Sequence, residues 1–308
     1  MFEELEKYKS LEFYARQIME GFITGMHKSP FHGFSVEFSE HRLYNPGEST
    51  RNIDWKLYAR SDKLFVKRFE EETNLRCQIM LDHSGSMRYP IQQQGNLNQP
   101  NKLTFSIYAA AILLEILVKQ RDAFGLSLFG EDIDFQSDIR SSITHKQYLL
   151  TQLERELLHP ETHNEKNPQT THIANVLHLT AERLKRRSMV VIFTDAFIRN
   201  EEQEALFDAL RHLRHCKHEV ILFHTYETPH EIDFNYDNKP TEFIDLESGK
   251  HLKVQPSEVA ERYRTLLKNE QKALKQRAIQ YKIDYIPVDI AQGFEEIMLQ
   301  FLIKRSKN

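Results

Sequence analysis

The sequence predicts an α/β fold: a doubly wound, mostly parallel sheet with helices on both faces, carrying an N-terminal extension and a small β insertion. Two observations predict it. From Leu75 onward, short apolar runs alternate with long amphipathic segments, the pattern of strand and helix units that build a parallel sheet. One connection, "GED", is too short for a crossover helix, so the strand "DIDFQS" is expected to return antiparallel beside its neighbour while the other connections cross over.

Bulk composition fits such a fold. Of 308 residues, 40% are apolar and 28% charged, with only 10 glycines and 10 prolines, which argues against disorder and fibrous repeats. The formal charge of -4 gives no overall basic footprint, so no nucleic-acid partner is expected. The start is charged from its third residue and lacks a positive leader followed by an apolar core, which points to a cytoplasmic protein. The apolar run "IYAAAILLEILV" is interrupted by Glu115 and falls short of the roughly 20 residues a bilayer asks for, so it reads as a buried helix and no membrane insertion is expected. Cys77 and Cys216 lack metal-type spacing and read as reduced core thiols.

In chain order, an amphipathic helix is expected over Ser10 to His27, followed by a dense polar and aromatic stretch; together they form an extension over residues 1–74. The main domain, residues 75–308, has strand candidates "LRCQIML", "FGLSLF", "DIDFQS", "MVVIFT", "EVILFHT" and "DYIPVD". Its helix candidates are Lys102 to Asp122, His145 to Leu157, Ile173 to Arg187, Glu201 to Leu213, Ser257 to Tyr281 and Phe294 to Lys304. Turn signals at Asn-Lys-Pro and Ser-Gly-Lys mark short inserted strands within about residues 229–255.

The stretch "IMLDHSGSMRYP" leaves a buried strand and then places Asp82, Ser84 and Ser86 at alternate positions. In an open parallel sheet, ligands bind beyond the carboxyl ends of the strands, and Gly85 was expected to let the turn curl until the three side chains converge. Carboxylate and hydroxyl oxygens are hard ligands, suited to Mg2+, Mn2+ or Ca2+. More oxygens are needed for six-coordination. "VVIFTDAF" ends a second strand in Thr194 and Asp195, and "NPQTTHIANVL" sets Thr170 and Thr171 at a loop-to-helix junction.

These residues resemble the metal-ion-dependent adhesion site of von Willebrand factor type A domains. The resemblance implies Asp82, Ser84, Ser86, Thr171 and Asp195 as metal ligands, with Thr171 preferred to Thr170 on its spacing from the helix that follows. Upstream, Glu37, Phe38, Arg42, Tyr44, Pro46, Gly47, Arg51, Ile53, Asp54, Trp55, Ala59, Arg60, Val66 and Lys67 match the pattern of the bacterial "domain of unknown function 58" family. The segment "FIDLESGKHLKV" and the long helix after it also resemble that family. Lys28 and the pair Glu48-Ser49 depart from the pattern without touching the ligands. The family resemblance implies cytoplasmic proteins that work with MoxR-type AAA+ ATPases as adaptors.

A bland reading stands beside each motif. Asp and Ser favour turns and caps for local reasons, so Asp-x-Ser-x-Ser alone is weak. Arg51, Asp54, Trp55 and Arg60 read first as a structural cluster around the only tryptophan. His212, His215 and Cys216 have helical spacing but no fourth ligand for a soft metal. His83, Met87, Thr170 and Phe197 are candidate partner contacts at the same rim. Ser84 occupies the place where an aspartyl phosphotransferase would carry its acid-base aspartate, neither serine stands in a Gly-x-Ser-x-Gly elbow, and no Gly-x-x-x-x-Gly-Lys loop occurs. The expectation is therefore a non-enzymatic interaction module, with an acidic loop of a partner completing the coordination of the cation. A metal-dependent phosphoesterase and a structural domain with a vestigial loop are the alternatives.

Overall fold

The computed structural model describes residues 11–25, 38–43, 55–61, 63–69, 75–91, 100–158, 173–196, 200–246, 249–292 and 294–306. Two compact units appear, residues 31–75 and residues 1–30 together with 76–308. The chain opens with helix α1 (Leu11–Gly25). The smaller unit holds strand β1 (Phe38–Leu43), the short helix α2 (Trp55–Ser61) and strand β2 (Phe65–Phe69). Its two strands pair antiparallel, His41 opposite Lys67 and Leu43 opposite Phe65.

The larger unit continues with β3 (Arg76–Asp82), a 3-10 turn (Ser86–Arg88), α3 (Lys102–Lys119), β4 (Ala123–Phe129) and β5 (Ile133–Gln136). Then come α4 (Ile143–Leu158), α5 (Ile173–Arg183), β6 (Met189–Thr194), α6 (Asn200–His215) and β7 (Glu219–Tyr226). A wide turn (Thr228–Ile232) leads to the hairpin of β8 (Thr241–Ile244) and β9 (His251–Val254), before α7 (Pro256–Gln280), β10 (Asp284–Asp289) and α8 (Phe294–Ser306). The described strands of the main sheet run in the order β10-β7-β6-β3-β4-β5. All pair in parallel except β5, which returns antiparallel on β4 as its three-residue connection requires. The result is a mixed α/β fold with a mostly parallel central sheet flanked by helices.

Strand order locates the rim where a ligand can sit. β3 lies in the middle; the chain leaves it through α3 for β4 on one side, then returns through α4 and α5 to β6 on the other. The order reverses at β3, and a crevice opens beyond its carboxyl end. One layer of the core joins Met80, Val190, Ile192 and Leu222 from the strands to Val176 and Leu177 on α5, Leu206, Phe207 and Leu210 on α6, and Leu274 on α7.

Helix α3 is buried almost all round, with 15 of its 18 residues inside, which explains the long apolar run in its sequence, broken only by Glu115. Part of that cover comes from α1, which buries Leu11, Ala15, Ile18 and Met19 and sets Tyr14 edge-on against Tyr108 at 5.9 Å. That packing explains why α1 groups with the larger unit and not with residues 31–75, where the sequence had placed it. Burying α3 also buries Glu115. Lys146 on α4 answers it, its Nζ standing 2.7 Å from Glu115 Oε1 and 2.7 Å from Glu12 Oε1 on α1. The hydrogen bond from Lys146 outweighs partial burial and holds the Glu12 carboxyl below its ordinary range. One ammonium thus ties three helices together. Removing it strips buried Glu115 of this cation and leaves Glu12 only its exposed pair with Arg16, so Lys146→Ala is expected to destabilise the protein by about 3 kcal/mol, measured as a fall in urea-unfolding free energy.

Candidate functional site

The register of β3 against β6 builds the site. Leu81 pairs with Phe193, so the next residues, Asp82 and Thr194, emerge side by side at the carboxyl ends of adjacent strands. Thr194 Oγ1 donates to Asp82 Oδ2 at 2.7 Å, and the backbone N–H of Ser84 donates to Asp82 Oδ1 at 3.0 Å. Each carboxylate oxygen keeps a second lone pair. Asp82 is 1% exposed. Burial, reinforced by the neighbouring charge of Asp195, pushes its carboxyl up to about 6, against the pull of its hydrogen bonds from Ser84 and Thr194.

Beyond Asp82 the chain makes one helical turn. The N–H of Met87 donates to Ser84 O at 3.2 Å and that of Arg88 to Gly85 O at 3.1 Å. Gly85 sits at φ -57° and ψ -40°, a conformation open to any residue, so the expected special role of glycine gives way to a 3-10 turn. That turn brings Ser84 Oγ within 3.2 Å of Ser86 Oγ. Its far end is fastened to α3: Asn101 caps the helix by accepting from Thr104 N–H at 2.7 Å and donates its own amide to Arg88 O at 3.2 Å.

Lys102, the first residue of α3, is the charged group that the sequence did not reveal. Its side chain is 1% exposed, with Nζ 2.8 Å from Asp195 Oδ2 and 2.5 Å from Glu231 Oε1. Burial favours a neutral amine, but the charges of Asp195 and Glu231 outweigh it and push the ammonium above its ordinary range. Asp195 is also fixed through its backbone. His224, opposite Thr194 on β7, places Nε2 2.9 Å from Asp195 O, and its Nδ1 lies 2.7 Å from Tyr285 Oη. A carbonyl only accepts, so Nε2 carries the proton and Nδ1 accepts from the tyrosine. Burial pushes His224 down to about 4, which keeps it neutral.

Other predicted residues fall in different places. His83 is 2% exposed and turned into the protein, between Asp134 Oδ2 at 2.7 Å and Glu156 Oε2 at 3.1 Å. Met87 is fully buried, its sulfur 3.4 Å from Thr225 Oγ1. Neither side chain can meet a partner, which corrects that expectation; a residue beside a rim is not thereby on its surface. Trp55 is 61% exposed and stands edge-on to Tyr58, and Arg60 is exposed. Arg51, Asp54, Thr170, Thr171 and Phe197 lie outside the described residues. His212 meets His178 on α5, Nδ1 to Nδ1 at 2.9 Å, in place of joining His215 and Cys216.

The paired carboxylates around His83 have a measurable consequence. Burial would lower its pKa, but the hydrogen bonds it donates to Asp134 and Glu156 outweigh burial and raise it from 6.5 to about 9. The folded state holds that proton more tightly, so the stabilisation is complete below pH 6.5 and lost as pH rises through 9. In urea unfolding from about pH 6 to about pH 10, the advantage of the wild type over His83→Gln should shrink as pH rises.

The donors fit a hard cation in one respect. Two oxygens at right angles on such an ion stand about 3.0–3.5 Å apart, and Ser84 Oγ and Ser86 Oγ stand at 3.2 Å. Asp82 adds an ionisable carboxylate whose charge lacks a close cation of its own. Asp195 is drawn instead to Lys102, and among the described residues no group of three or more His, Cys, Asp or Glu side chains converges as a metal-binding set. The arrangement therefore suits an ion held by one carboxylate and neutral hydroxyls, not a centre rich in anions.

Among known proteins, 81 residues are 30% identical to Uncharacterized protein Rv1480 of Mycobacterium tuberculosis (strain ATCC 25618 / H37Rv), a match covering 26% of each chain. The same figures hold for Uncharacterized protein Mb1516 of Mycobacterium bovis (strain ATCC BAA-935 / AF2122/97), so the chain spans only about a quarter of the length of these curated relatives. Among solved structures, the conserved hypothetical protein BatB from Bacteroides thetaiotaomicron is 16% identical, with TM-score 0.43, over 76% of this chain and 100% of its own. An aerotolerance-related membrane protein from Bacteroides fragilis is 18% identical, with TM-score 0.45, over 75% and 99%. Among the described residues, no helix is long and apolar enough to cross a membrane. The family described as "Protein of unknown function DUF58" matches residues 40–275, more than half of the chain, and the protein belongs to that family.

Proposed function

We propose that the protein is an interaction module of the von Willebrand factor A type, not an enzyme, and that it holds a divalent cation, Mg2+ or in its place Mn2+ or Ca2+. Asp82, Ser84 and Ser86 would hold the ion, with Thr171 as a further ligand, while Asp195, expected from the sequence as a fifth, is engaged by Lys102 and would contribute its charge from beside the ligand set. The observation that carries this reading is the pair of serine hydroxyls set 3.2 Å apart beside a buried carboxylate that is costly to ionise alone. A bound dication would supply a Lewis-acidic position open to the carboxylate of a partner's acidic loop. The protein's own residues fix the oxygens: Thr194 and the Ser84 backbone orient Asp82, and the capped start of α3 holds the serine turn in place.

On the family resemblance, the partner is a MoxR-type AAA+ ATPase or a protein that it remodels, with this chain as a cytoplasmic adaptor. The observed crevice supports this reading, because the oxygens sit where the strand order reverses. An ion that binds only the native state raises its stability, by about 2.7 kcal/mol at a hundredfold excess over Kd. Thermal unfolding should therefore shift upward with Mg2+, Mn2+ or Ca2+, and Asp82→Ala should abolish the shift while keeping the fold. Capture of the ATPase by the wild type should fail in chelator and in Asp82→Ala; capture unchanged in both would refute the mechanism.

A further inference from the structure

A second feature lies beside the cation site and shares only Asp195 with the residues that the family resemblance implies. Between α6, α7, the ends of β6 and β7 and the turn at Glu231 runs a narrow, partly open cleft with a cavity volume of about 50 Å3. Its walls are aliphatic, with Leu206 from α6 and Leu267 and Leu274 from α7, each less than a tenth exposed. The inner end is polar and rigid: Lys102 is shared between Asp195 and Glu231. On the α7 wall, half-buried Glu270 has no ion-pair partner among the described residues.

Charge decides what such a groove can receive. Among the described residues three carboxylates line it against one ammonium, and both nitrogens of His224 are taken up by the Asp195 carbonyl and the Tyr285 hydroxyl. Burial raises the Glu270 carboxyl, and it also raises Glu231 despite the opposing charge of Lys102. Glu231 already shares the Lys102 ammonium and Glu270 has no ion-pair partner among the described residues, so the described lining keeps a negative excess that would repel an incoming anion. An uncharged apolar side chain would fit the leucines but strand the carboxylates. A long side chain with an apolar stem and a cationic head satisfies both parts of the groove.

We propose that this cleft receives an arginine or lysine side chain of a partner protein, its methylene stem along Leu206, Leu267 and Leu274 and its cation between Glu270 and Glu231. Asp195 lines the cleft and stands beside the ligand set of the cation site, so one partner segment bearing a carboxylate and a basic residue could engage them together. That joint use rests on the function proposed above; the cleft itself does not.

The test uses the full chain in chelator, so that it does not depend on the cation. Nα-acetyl-arginine amide is titrated by ligand-observed NMR against its uncharged analogue Nα-acetyl-citrulline amide. The arginine probe should bind at least about tenfold more tightly than citrulline, and Glu270→Gln should weaken it about fivefold, as loss of a charge-assisted hydrogen bond predicts. Gln271→Lys, which sets an ammonium inside the cleft, should compete with the probe and weaken it further. Equal binding of citrulline, arginine binding unchanged in Glu270→Gln, or no arginine binding in the wild type would each overturn the proposal. Failure here with the Mg2+ thermal shift intact removes the cleft and leaves the cation site. A missing shift with arginine binding intact does the reverse.

Discussion

The parallel register of β3 with β6 is the constraint on which the rim depends. Because Leu81 lies opposite Phe193, Asp82 and Thr194 leave the sheet as neighbours, and the threonine hydroxyl reaches the carboxylate without any loop having to be placed. One strand further, Thr194 lies opposite His224, whose imidazole takes the carbonyl of Asp195. The aspartate backbone is thus fixed from a third strand before its side chain makes any contact. A sheet that slipped by one residue here would turn Asp82 to the opposite face and separate the rim groups.

Charge is then distributed unequally between the two aspartates. Asp195 obtains a counter-ion in Lys102, which reaches it from the first turn of α3. A cation at a helix N-terminus opposes the helix dipole. The arrangement is affordable because the ammonium binds two carboxylates at once and because Asn101 satisfies the start of the helix with its own side chain. Asp82 obtains only neutral hydrogen bonds. Its buried charge is left for something else to balance, whereas that of Asp195 is already met.

Much of this was legible in the sequence. Strand and helix candidates coincide with the observed elements to within a few residues at each end, because buried parallel strands and amphipathic helices leave distinct periodicities. The antiparallel return of β5 followed from a connection only three residues long. Asp82, Ser84 and Ser86 were legible because their spacing is local, and one turn suffices to gather them. Lys102 was not, since its partners lie 93 and 129 residues away and a lysine opening a helix reads as a solvated group. The one available signal was its unfavourable place at a helix N-terminus. His83 and Met87 were misread for a related reason: sequence places a residue beside a site but does not tell which way its side chain turns, and both turn inward.

The commitments of the titratable groups around Asp82 agree with the binding role proposed above. A general base needs an accessible lone pair and a pKa near the working pH. His83 carries its proton up to about pH 9 and spends both nitrogens on carboxylates. His224 donates with one nitrogen and accepts with the other, so its lone pair is already occupied. Asp195 is already engaged by the Lys102 ammonium. Among the described residues of this rim, Asp82 is the group that titrates near 6, and both of its oxygens are fixed by short hydrogen bonds to neighbouring residues. A carboxylate so oriented and so poorly compensated is better placed to hold a cation than to shuttle a proton. Among the described residues no base stands ready to activate the serine hydroxyls at its side, which accords with the proposed role as neutral ligands.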